Sequence, residues 1–248
     1  MATLHLLGTG APASDPHRTT TMLAFSGGGS VVLIDCGGDV LHRAQAAGFR
    51  ADQIAALILT HEHPDHVGGF SLFVEKMWLY GRKDPIPIYG PEAALNQARG
   101  NFSSYNTEHW ADVPELDWRP VALEEGVPFL DLDGLAYSST PTEHGVPSIA
   151  IRVDNRNTGL SVCYSSDTRP CDAVVRLASG CTILVHEAGG DNPVHTTVDQ
   201  AAEVAARAGC GRLVLVHLQA GHTDADLVDA KKLLPDTSFG VEMGSMEF

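Results

Sequence analysis

The sequence predicts an α/β fold in which two β-sheets pack face to face and helices cover both outer surfaces. Two observations support this prediction. Short apolar, strand-like runs alternate with helix-like segments along both halves of the 248-residue chain, and each half holds enough strands for a sheet. No linker rich in Pro, Gly or Ser separates the halves, so we expect a single domain over residues 1–248.

Turn and cap residues delimit the elements of the first half. A glycine turn at 27–29 joins two strands, Asp39 can cap a helix that Gly48 ends, and Pro91 opens another helix. Strands are predicted at 3–7, 20–25, 30–35, 54–60 and 86–89. Helices are predicted from Asp39 to about Ala47, from Val67 to Tyr80, and from Pro91 to near Gly100. The polar stretch 101–117 shows no period and is interpreted as a loop lining the cleft.

The second half repeats the alternation of strands and helices. Strands are predicted at 136–140, 149–153, 160–164, 183–185 and 213–216. Helices are predicted at 172–177, 198–208 and 224–234.

The predicted helix 67–80 is apolar on more than one face. One stripe at helical spacing, which core packing would explain, consists of Phe70, Phe73, Val74, Met77 and Trp78. Leu72, Leu79 and Tyr80 fall largely off that stripe, so they are either buried or part of a homodimer interface, which is our prediction. The aromatic-bearing loop after the next helix could form a substrate wall or lid, or merely anchor the loop; its ring side chains are Phe102, Tyr105, His109 and Trp110.

Composition and charge exclude several functional classes. Acidic residues outnumber basic ones by 31 to 16, a net charge of −15, which disfavours a broad contact with nucleic acid because neutralising phosphates requires clustered Lys and Arg. No run approaches the ~20 apolar residues that span a bilayer. Residues 1–12 lack the pattern of a secretory signal, and the five cysteines form no Cys-x-x-Cys pair. We therefore expect a cytoplasmic protein with free thiols that does not bind membranes.

Residues 61–66 read His-Glu-His-Pro-Asp-His, directly after a predicted apolar strand. A strand end faces a crevice in an α/β sheet, where side chains can converge. His61 and His63 can reach one point from an extended segment, whereas Asp65 and His66 can reach a second point a few ångströms away. Imidazole with carboxylate suits zinc, and also iron or manganese. A solvated turn with chance histidines explains poorly why three His and one Asp occur within six positions, so we interpret the segment as a metal site.

Two ions need more donors than this segment supplies, and three further residues have a similar context. His144, Asp167 and His217 each follow a β-rich run and precede turn residues. Taken alone, a strand-end His or Asp is more often a cap or a satisfied core group. Together with residues 61–66, they make up the set that two metals would require.

At these residues the sequence resembles a known family. The run at 61–66 fits the His-x-His-x-Asp-His signature of the metallo-β-lactamase superfamily. Further blocks resemble ribonuclease Z and its phosphodiesterase and arylsulfatase relatives, and they follow in family order along nearly the whole chain. These blocks are Leu7-Gly8-Thr9-Gly10-Ala11-Pro12 with Arg18, Ile34-Asp35-Cys36-Gly37, Tyr164-Ser165-Ser166-Asp167-Thr168-Arg169-Pro170, His186-Glu187-Ala188, His195-Thr196-Thr197 and His217.

The resemblance implies a four-layer αββα sandwich of the metallo-β-lactamase type, with two divalent ions at the sheet edge. Zn²⁺ is the first choice, and Mn²⁺ or Fe²⁺ are alternatives. The implied ligands are His61, His63 and His144 for one ion and Asp65, His66 and His217 for the other, with Asp167 bridging.

The resemblance also implies roles around the metals. Asp35 would fix the loop of residues 61–66 by hydrogen bonds. His195 with Glu187 resembles the family's His–Glu pair beside the scissile phosphate, whereas His186 would be structural. Asp65 would orient the nucleophile or accept its proton while remaining a ligand.

Such a site predicts hydrolysis of an ester bond. Two divalent ions ~3.5–4 Å apart can share a water and give a bridging hydroxide near neutral pH. His195, oriented by Glu187, could protonate the leaving oxygen. A small phosphodiester is the first choice of substrate, although the same hydroxide could open a lactone, thioester or sulfate ester.

One departure from the family makes transfer-RNA 3′ processing the alternative rather than the first choice of function. Ribonuclease Z usually carries a long basic arm that grips transfer RNA, between its third metal motif and the bridging Asp. Here that interval is only residues 145–166, enough for two strands and a turn. The segment after His217 also lacks the family's usual Ser-containing run. A third hypothesis, a non-catalytic scaffold, is disfavoured because all seven ligand positions are filled.

Overall fold

The computed structural model describes residues 2–248, and its strands form two seven-stranded sheets. The first half contributes β1 (Thr3–Gly8), β2 (Met22–Gly27), β3 (Ser30–Ile34), β4 (Ile54–Ile58), β5 (Ile86–Gly90) and β6 (Leu116–Pro120). The second half contributes β7 (Val127–Leu132), β8 (Leu135–Pro141), β9 (Ile149–Asn155), β10 (Ser161–Tyr164), β11 (Ile183–Glu187), β12 (Arg212–Val216), β13 (Thr237–Phe239) and β14 (Ser245–Glu247).

Both sheets combine parallel and antiparallel strands. Their spatial orders are β14-β1-β2-β3-β4-β5-β6 and β13-β12-β11-β10-β9-β8-β7. Strands β3 to β6 run parallel in the first sheet, as do β10 to β13 in the second. Because carboxyl ends of parallel strands meet at one edge of a sheet, the loops that follow them lie close together.

Helices cover the outer face of each sheet. They are α1 (Val40–Ala46), α2 (Pro64–Val67), α3 (Phe70–Leu79), α4 (Glu92–Ser103), α5 (Asp172–Leu177), α6 (Val198–Ala208) and α7 (Ala230–Leu233). Asp39 caps α1 by accepting the amide N–H of His42, as the sequence predicts. No helix in residues 2–248 combines the length and apolarity that crossing a bilayer requires.

Apolar side chains form three layers that define the sandwich. The middle layer joins the inner faces of both sheets, with Leu4 and Phe25 of the first sheet against Tyr137 and Ile151 of the second. One outer layer lies between the first sheet and α1, α3 and α4, and the other lies between the second sheet and α5 and α6. This arrangement confirms the predicted αββα architecture.

The helix predicted from Val67 to Tyr80 is confirmed as α3, but it begins at Phe70 because Val67 ends the separate short helix α2. The structure divides this region into α2 and α3, with Gly68 and Gly69 between them. The amide of Gly69 donates to the carbonyl of Cys36 at 2.7 Å instead of continuing the helical ladder. A Cβ at Gly69 would lie 2.2 Å from the carbonyl oxygen of Gly38, so the two segments approach too closely for a side chain.

The predicted loop at 101–117 is also partly wrong. Helix α4 continues through Ser103, past the predicted end near Gly100, and β6 begins at Leu116. Tertiary contacts extend this helix, because the side-chain amide of Asn101 donates to the carbonyl of Val67 and Phe102 packs against the outer core.

The predicted helix 224–234 is replaced by a short 3₁₀ turn at Asp224–Leu227 followed by α7. The carboxylate of Asp226 accepts the backbone N–H of Thr223, and such local side-chain bonds favour turns over a continuous helix. Four strands were not predicted, namely β6, β7, β13 and β14. All four are edge strands. An edge strand pairs with only one neighbour, so its sequence does not need a continuous apolar run.

Candidate metal centre

The predicted site residues lie where strands end. Asp35 follows β3, the segment 61–66 follows β4, and His144, Asp167 and His217 follow β8, β10 and β12. Several of these turns use a left-handed backbone that non-glycine residues seldom adopt: φ is 61° at Asp35, 52° at Ser166 and 54° at His217. Residues held in sparsely populated conformations cluster at functional sites.

The first group of converging ligand atoms comes from His61, His63 and His144. Nδ1 of His63 lies 3.1 Å from Nε2 of His61 and 3.1 Å from Nε2 of His144. Three ring nitrogens therefore point at one small volume.

Hydrogen bonds on the far sides of two rings fix which nitrogen carries the proton. The hydroxyl of Thr60 donates its only hydrogen to Asp35 at 2.9 Å, so it must accept from Nδ1 of His61 at 3.1 Å. Nδ1 of His144 donates to the carbonyl of Val194 at 3.0 Å. In both neutral rings Nε2 therefore presents a lone pair toward His63, as a metal ligand must.

The second group comprises Asp65, His66, Asp167 and His217. Nε2 of His217 lies 3.2 Å from a carboxylate oxygen of each Asp, and Nε2 of His66 lies 3.3 Å from Asp65 and 3.5 Å from Asp167. The same Asp167 oxygen lies 3.8 Å from Nε2 of His61 in the first group. Asp167 thus stands between the two groups, where a bridging ligand belongs.

The electrostatics of these residues suit cation binding. Burial alone would raise the pKa of the Asp167 carboxyl, but the neighbouring His217 and His66 hold it well below its usual range. Burial lowers the pKa of His61 well below its usual value and keeps the ring neutral. Burial alone would lower the pKa of His66, but Asp167 and Asp35 raise it well above its usual value, so this ring must give up a proton when a metal binds. Ionised carboxylates and neutral imidazoles are the forms that bind metals.

A direct test of fit comes from polar atoms without partners. Nε2 of His66 and Oδ1 of Asp167 are among the ten buried polar side-chain atoms that have no hydrogen-bond partner in the described residues. Buried polar atoms are normally paired, so these two require an explanation. Their position, beside inward-pointing lone pairs of other histidines, fits a pair of divalent ions held by all seven predicted residues.

Asp35 forms hydrogen bonds with Thr60 and with the predicted ligand His66. Its carboxylate accepts the amide and hydroxyl hydrogens of Thr60 at 2.8 and 2.9 Å, and it accepts Nδ1–H of His66 at 2.8 Å. It therefore orients His66 directly and His61 through Thr60, in the place that the sequence predicts for it.

His195 and Glu187 form a pair beside the second group. Nδ1 of His195 lies 2.9 Å from Glu187, whose buried carboxylate also accepts the amides of Thr168 and Gly189. Burial alone would lower the pKa of His195, but the hydrogen bond and charge of Glu187 outweigh it and raise the pKa. A Cβ at Gly189 would lie 2.9 Å from Nδ1 of His217, so only glycine fits here. His186 lies outside this cluster, with its buried Nδ1 2.7 Å from the backbone oxygen of Glu187.

A cavity of about 260 Å³ opens beside the metal ligands. Asn192 and Gln219 contribute side-chain amides to its wall, and Pro12 contributes an apolar surface. The sequence did not single out the two amides as functional, because a polar residue in a loop carries no periodic signal. His195 faces this cavity from the same wall.

The four ring side chains predicted to line the cleft or anchor the loop lie in different environments. Phe102 is an anchor against the outer core, and Trp110 stacks on Trp78 with ring centres 4.5 Å apart. Tyr105 is 60% exposed and lines a cleft next to His63. His109 is exposed and lines none of the cavities described here.

The αββα fold and this cluster of seven His and Asp side chains, which could hold metal ions, are those of a metal-dependent hydrolase type of centre. The family model of the beta-lactamase superfamily domain matches residues 31–218. Ribonuclease Z of Mycobacterium avium (strain 104) is 37% identical over 243 residues, which cover 88% of this chain and 86% of the relative. The chain therefore belongs to the metallo-β-lactamase superfamily and, within it, to the ribonuclease Z-like branch.

Solved structures agree on the fold. Human tRNase Z, short form, superposes with a TM-score of 0.80 at 21% identity, covering 99% of this chain and 98% of that one. A diphosphatase of the PhnP family superposes with a TM-score of 0.78 at 21% identity, covering 100% of this chain and 98% of that one. Proteins with different names therefore share this fold.

Proposed function

We propose that the protein is a binuclear metal-dependent hydrolase that cleaves a small phosphodiester, with residues 1–248 acting as one hydrolase domain. The observation that carries this proposal is Asp167, whose single carboxylate faces two converging sets of ligand atoms. When bound, the two ions would polarise a water and a phosphoryl oxygen between them. We propose Zn²⁺, because nitrogen-rich ligand sets with carboxylate suit it; Mn²⁺ or Fe²⁺ would also fit.

The side chains supply the remaining chemistry. Asp65 presents a carboxylate toward His217 and the cavity, where it orients the attacking water and accepts its proton. His195 donates Nδ1–H to Glu187, so the protonated ring carries its second proton on Nε2. Its raised pKa favours the protonated form that donates to the leaving oxygen.

The preference for a small substrate rests on charge. Within the described residues, neither Lys nor Arg lines the cavity beside the ligands or the adjoining cleft. The net charge of the chain is −15, and the segment 145–166 consists of β9, a turn and β10 rather than an extended arm. Binding a polynucleotide requires cations along several phosphates, whereas one phosphodiester needs only the metals.

Transfer-RNA 3′ processing is the second candidate. It is favoured by the ribonuclease Z relative that is 37% identical over most of both chains. In that case a partner subunit would have to provide the grip on the RNA.

We also propose a homodimer that uses α3. Leu79 and Tyr80, at and just after its carboxyl end, are 66% and 56% exposed, and Leu72 is 39% exposed, which leaves an apolar face free to associate. Sedimentation at micromolar concentration should show a dimer that Leu79→Glu dissociates, with the circular dichroism spectrum unchanged; a wild-type monomer would refute this proposal.

The five buried free thiols support a reducing, cytoplasmic location.

Two substrates assayed side by side test the function. The zinc-loaded protein should hydrolyse bis-p-nitrophenyl phosphate and leave a precursor transfer RNA uncut at low salt. Asp167→Ala should abolish the hydrolysis, and His5→Ala, remote from the metal ligands, should not. Cleavage of the precursor at its 3′ end would favour the second candidate, and turnover of a lactone or aryl sulfate alone would refute both.

A further inference from the structure

We infer that a cleft beside the metal ligands binds a neutral, ring-bearing alcohol group of the phosphodiester, such as a nucleoside, with Tyr105 as the stacking surface. This inference rests on the proposed function and names the group that the substrate carries next to its phosphate. The cleft has a volume of about 450 Å³ and lies between α2 and the carboxyl end of α4. His63 lines both this cleft and the cavity beside the second ligand group, so the two spaces adjoin.

The lining of the cleft suits a neutral polar group. Gln97 and Asn101 supply amides, and Ser71 and Ser104 supply hydroxyls. Gln97 already donates one hydrogen to Oδ1 of Asn101, and the hydroxyl of Ser104 donates to the carbonyl of Asn101, both at 2.8 Å. Oγ of Ser71 has no partner in the part of the chain that the structure describes. The remaining hydrogens and lone pairs can pair with ring nitrogens, carbonyls and sugar hydroxyls. Glu62 is the lining residue that carries a full charge, and it is acidic. A second phosphate would be repelled here, whereas an uncharged sugar or base would find donors and acceptors.

Tyr105 adds an aromatic surface to this polar lining. Its ring is 60% exposed at the end of α4. It borders both the polar cleft and a neighbouring cavity of about 350 Å³, whose wall includes the apolar side chains Leu72, Phe102 and Trp110. A flat ring entering from the metal side would meet polar edges first and aromatic or apolar surface beyond them. Stacking of a nucleobase on an aromatic side chain is sequence-tolerant and worth a substantial part of the binding energy.

The wall that carries Tyr105 is held in place by its neighbours. The amide nitrogen of Asn101 lies 3.3 Å from the carbonyl oxygen of Val67, which ties α4 to α2. Further along, Trp110 stacks on Trp78 with an interplanar angle of 9°, and Nε1 of Trp78 donates to the carbonyl of Ala111 at 2.8 Å. A wall fixed in this way loses little entropy when a ligand binds.

The geometry separates this group from the leaving group. His195, which protonates the leaving oxygen, lines the cavity with Asn192 and Gln219 but does not line the cleft. The ester group that stays on the phosphate is therefore the one that reaches Tyr105. This distinction makes the inference testable with two substrates that share a leaving group.

The test compares thymidine 5′-(p-nitrophenyl phosphate) with methyl p-nitrophenyl phosphate, using wild type, Tyr105→Ala and His109→Ala. His109 is a matched control because its ring is exposed on the same loop and lies outside both cavities. Tyr105→Ala should lower kcat/KM about 10-fold for the thymidine diester and less than about 2-fold for the methyl diester, mainly through KM. His109→Ala should change neither. Equal losses on both diesters, or none on the thymidine diester, would overturn the inference.

A second readout does not depend on turnover. Saturation-transfer NMR with thymidine alone should show strong transfer to the base protons for wild type and His109→Ala, and weak transfer for Tyr105→Ala. Equal transfer to all three proteins would overturn the inference. If wild type hydrolyses neither diester yet the transfer depends on Tyr105, the proposed reaction fails while the binding site stands.

Discussion

Replacing Asp35 with Asn should weaken metal binding while leaving the fold intact. The carboxylate accepts three hydrogen bonds, two from Thr60 and one from Nδ1 of His66, all at 2.8–2.9 Å. Asn has the same shape and tolerates the left-handed backbone found at this position, where φ is 61°. The charge is lost and one acceptor oxygen becomes an NH₂ donor, so the substitution changes the hydrogen bonds of this side chain while keeping its shape.

The expected loss of metal affinity in Asp35→Asn follows from the effect of the new side-chain amide on His66. Its NH₂ group would face Nδ1–H of the ring, so the ring must move or shift its proton to Nε2, the atom that faces Asp65 and Asp167. A hydrogen bond to a charged partner contributes ~1.5–3 kcal/mol, and losing an outer partner of a ligand typically costs about 10–100-fold in metal affinity. We therefore expect the zinc dissociation constant to rise about 30-fold, with a similar loss in kcat.

Competition with a fluorescent chelator measures the dissociation constant, and circular dichroism confirms the fold. Asp39→Asn is the matched control, since Asp39 caps α1 away from the ligands and Asn caps as well as Asp. A folded Asp35→Asn protein that binds zinc within about 2-fold of wild type would refute the assigned role of Asp35.

Three further predictions concern the ligands and the proton donor. His63→Ala should bind about one metal per chain by elemental analysis, whereas Asp167→Ala, which removes the shared carboxylate, should weaken both. His195→Ala should keep its metals but lose about 10²–10⁴-fold in kcat on a diester with a poor alkyl leaving group, and much less with p-nitrophenol, which needs no proton. Glu187 raises the pKa of His195, so activity should fall as pH rises through that pKa; Glu187→Gln should lower the pKa of His195 and move this alkaline limb to lower pH.

Specific outcomes would contradict each of these. Unchanged metal content in Asp167→Ala would remove it from the ligand set. Equal losses with both leaving groups in His195→Ala would exclude proton donation. If the alkaline limb of the pH profile does not move in Glu187→Gln, Glu187 does not set the pKa of His195 in the reaction.

The convergence of these His and Asp residues at strand ends could be predicted because the sequence shows both the strand and the polar residue that follows it. A buried strand is an apolar run, and a His or Asp directly after it stands out, as at His61 and His217. The family resemblance supplied the assignment of residues to each ion and the pairing of His195 with Glu187. The distances now give that pairing a physical basis.

The remaining features depend on contacts between distant segments. The break between α2 and α3 is imposed by the carbonyl of Cys36, some thirty residues earlier, so a local pattern of apolar residues could not reveal it. The proton position on His61 depends on Thr60 and Asp35 together. Tyr105 gains its place in the cleft only because α4 packs beside α2, which loop composition does not encode.

Crystals grown with zinc and measured at its absorption edge test the central claim most directly. The account predicts two anomalous peaks about 3.5–4 Å apart, one within about 2.0–2.1 Å of nitrogens of His61, His63 and His144, and both within reach of Asp167. A single peak, or peaks away from these side chains, would contradict it.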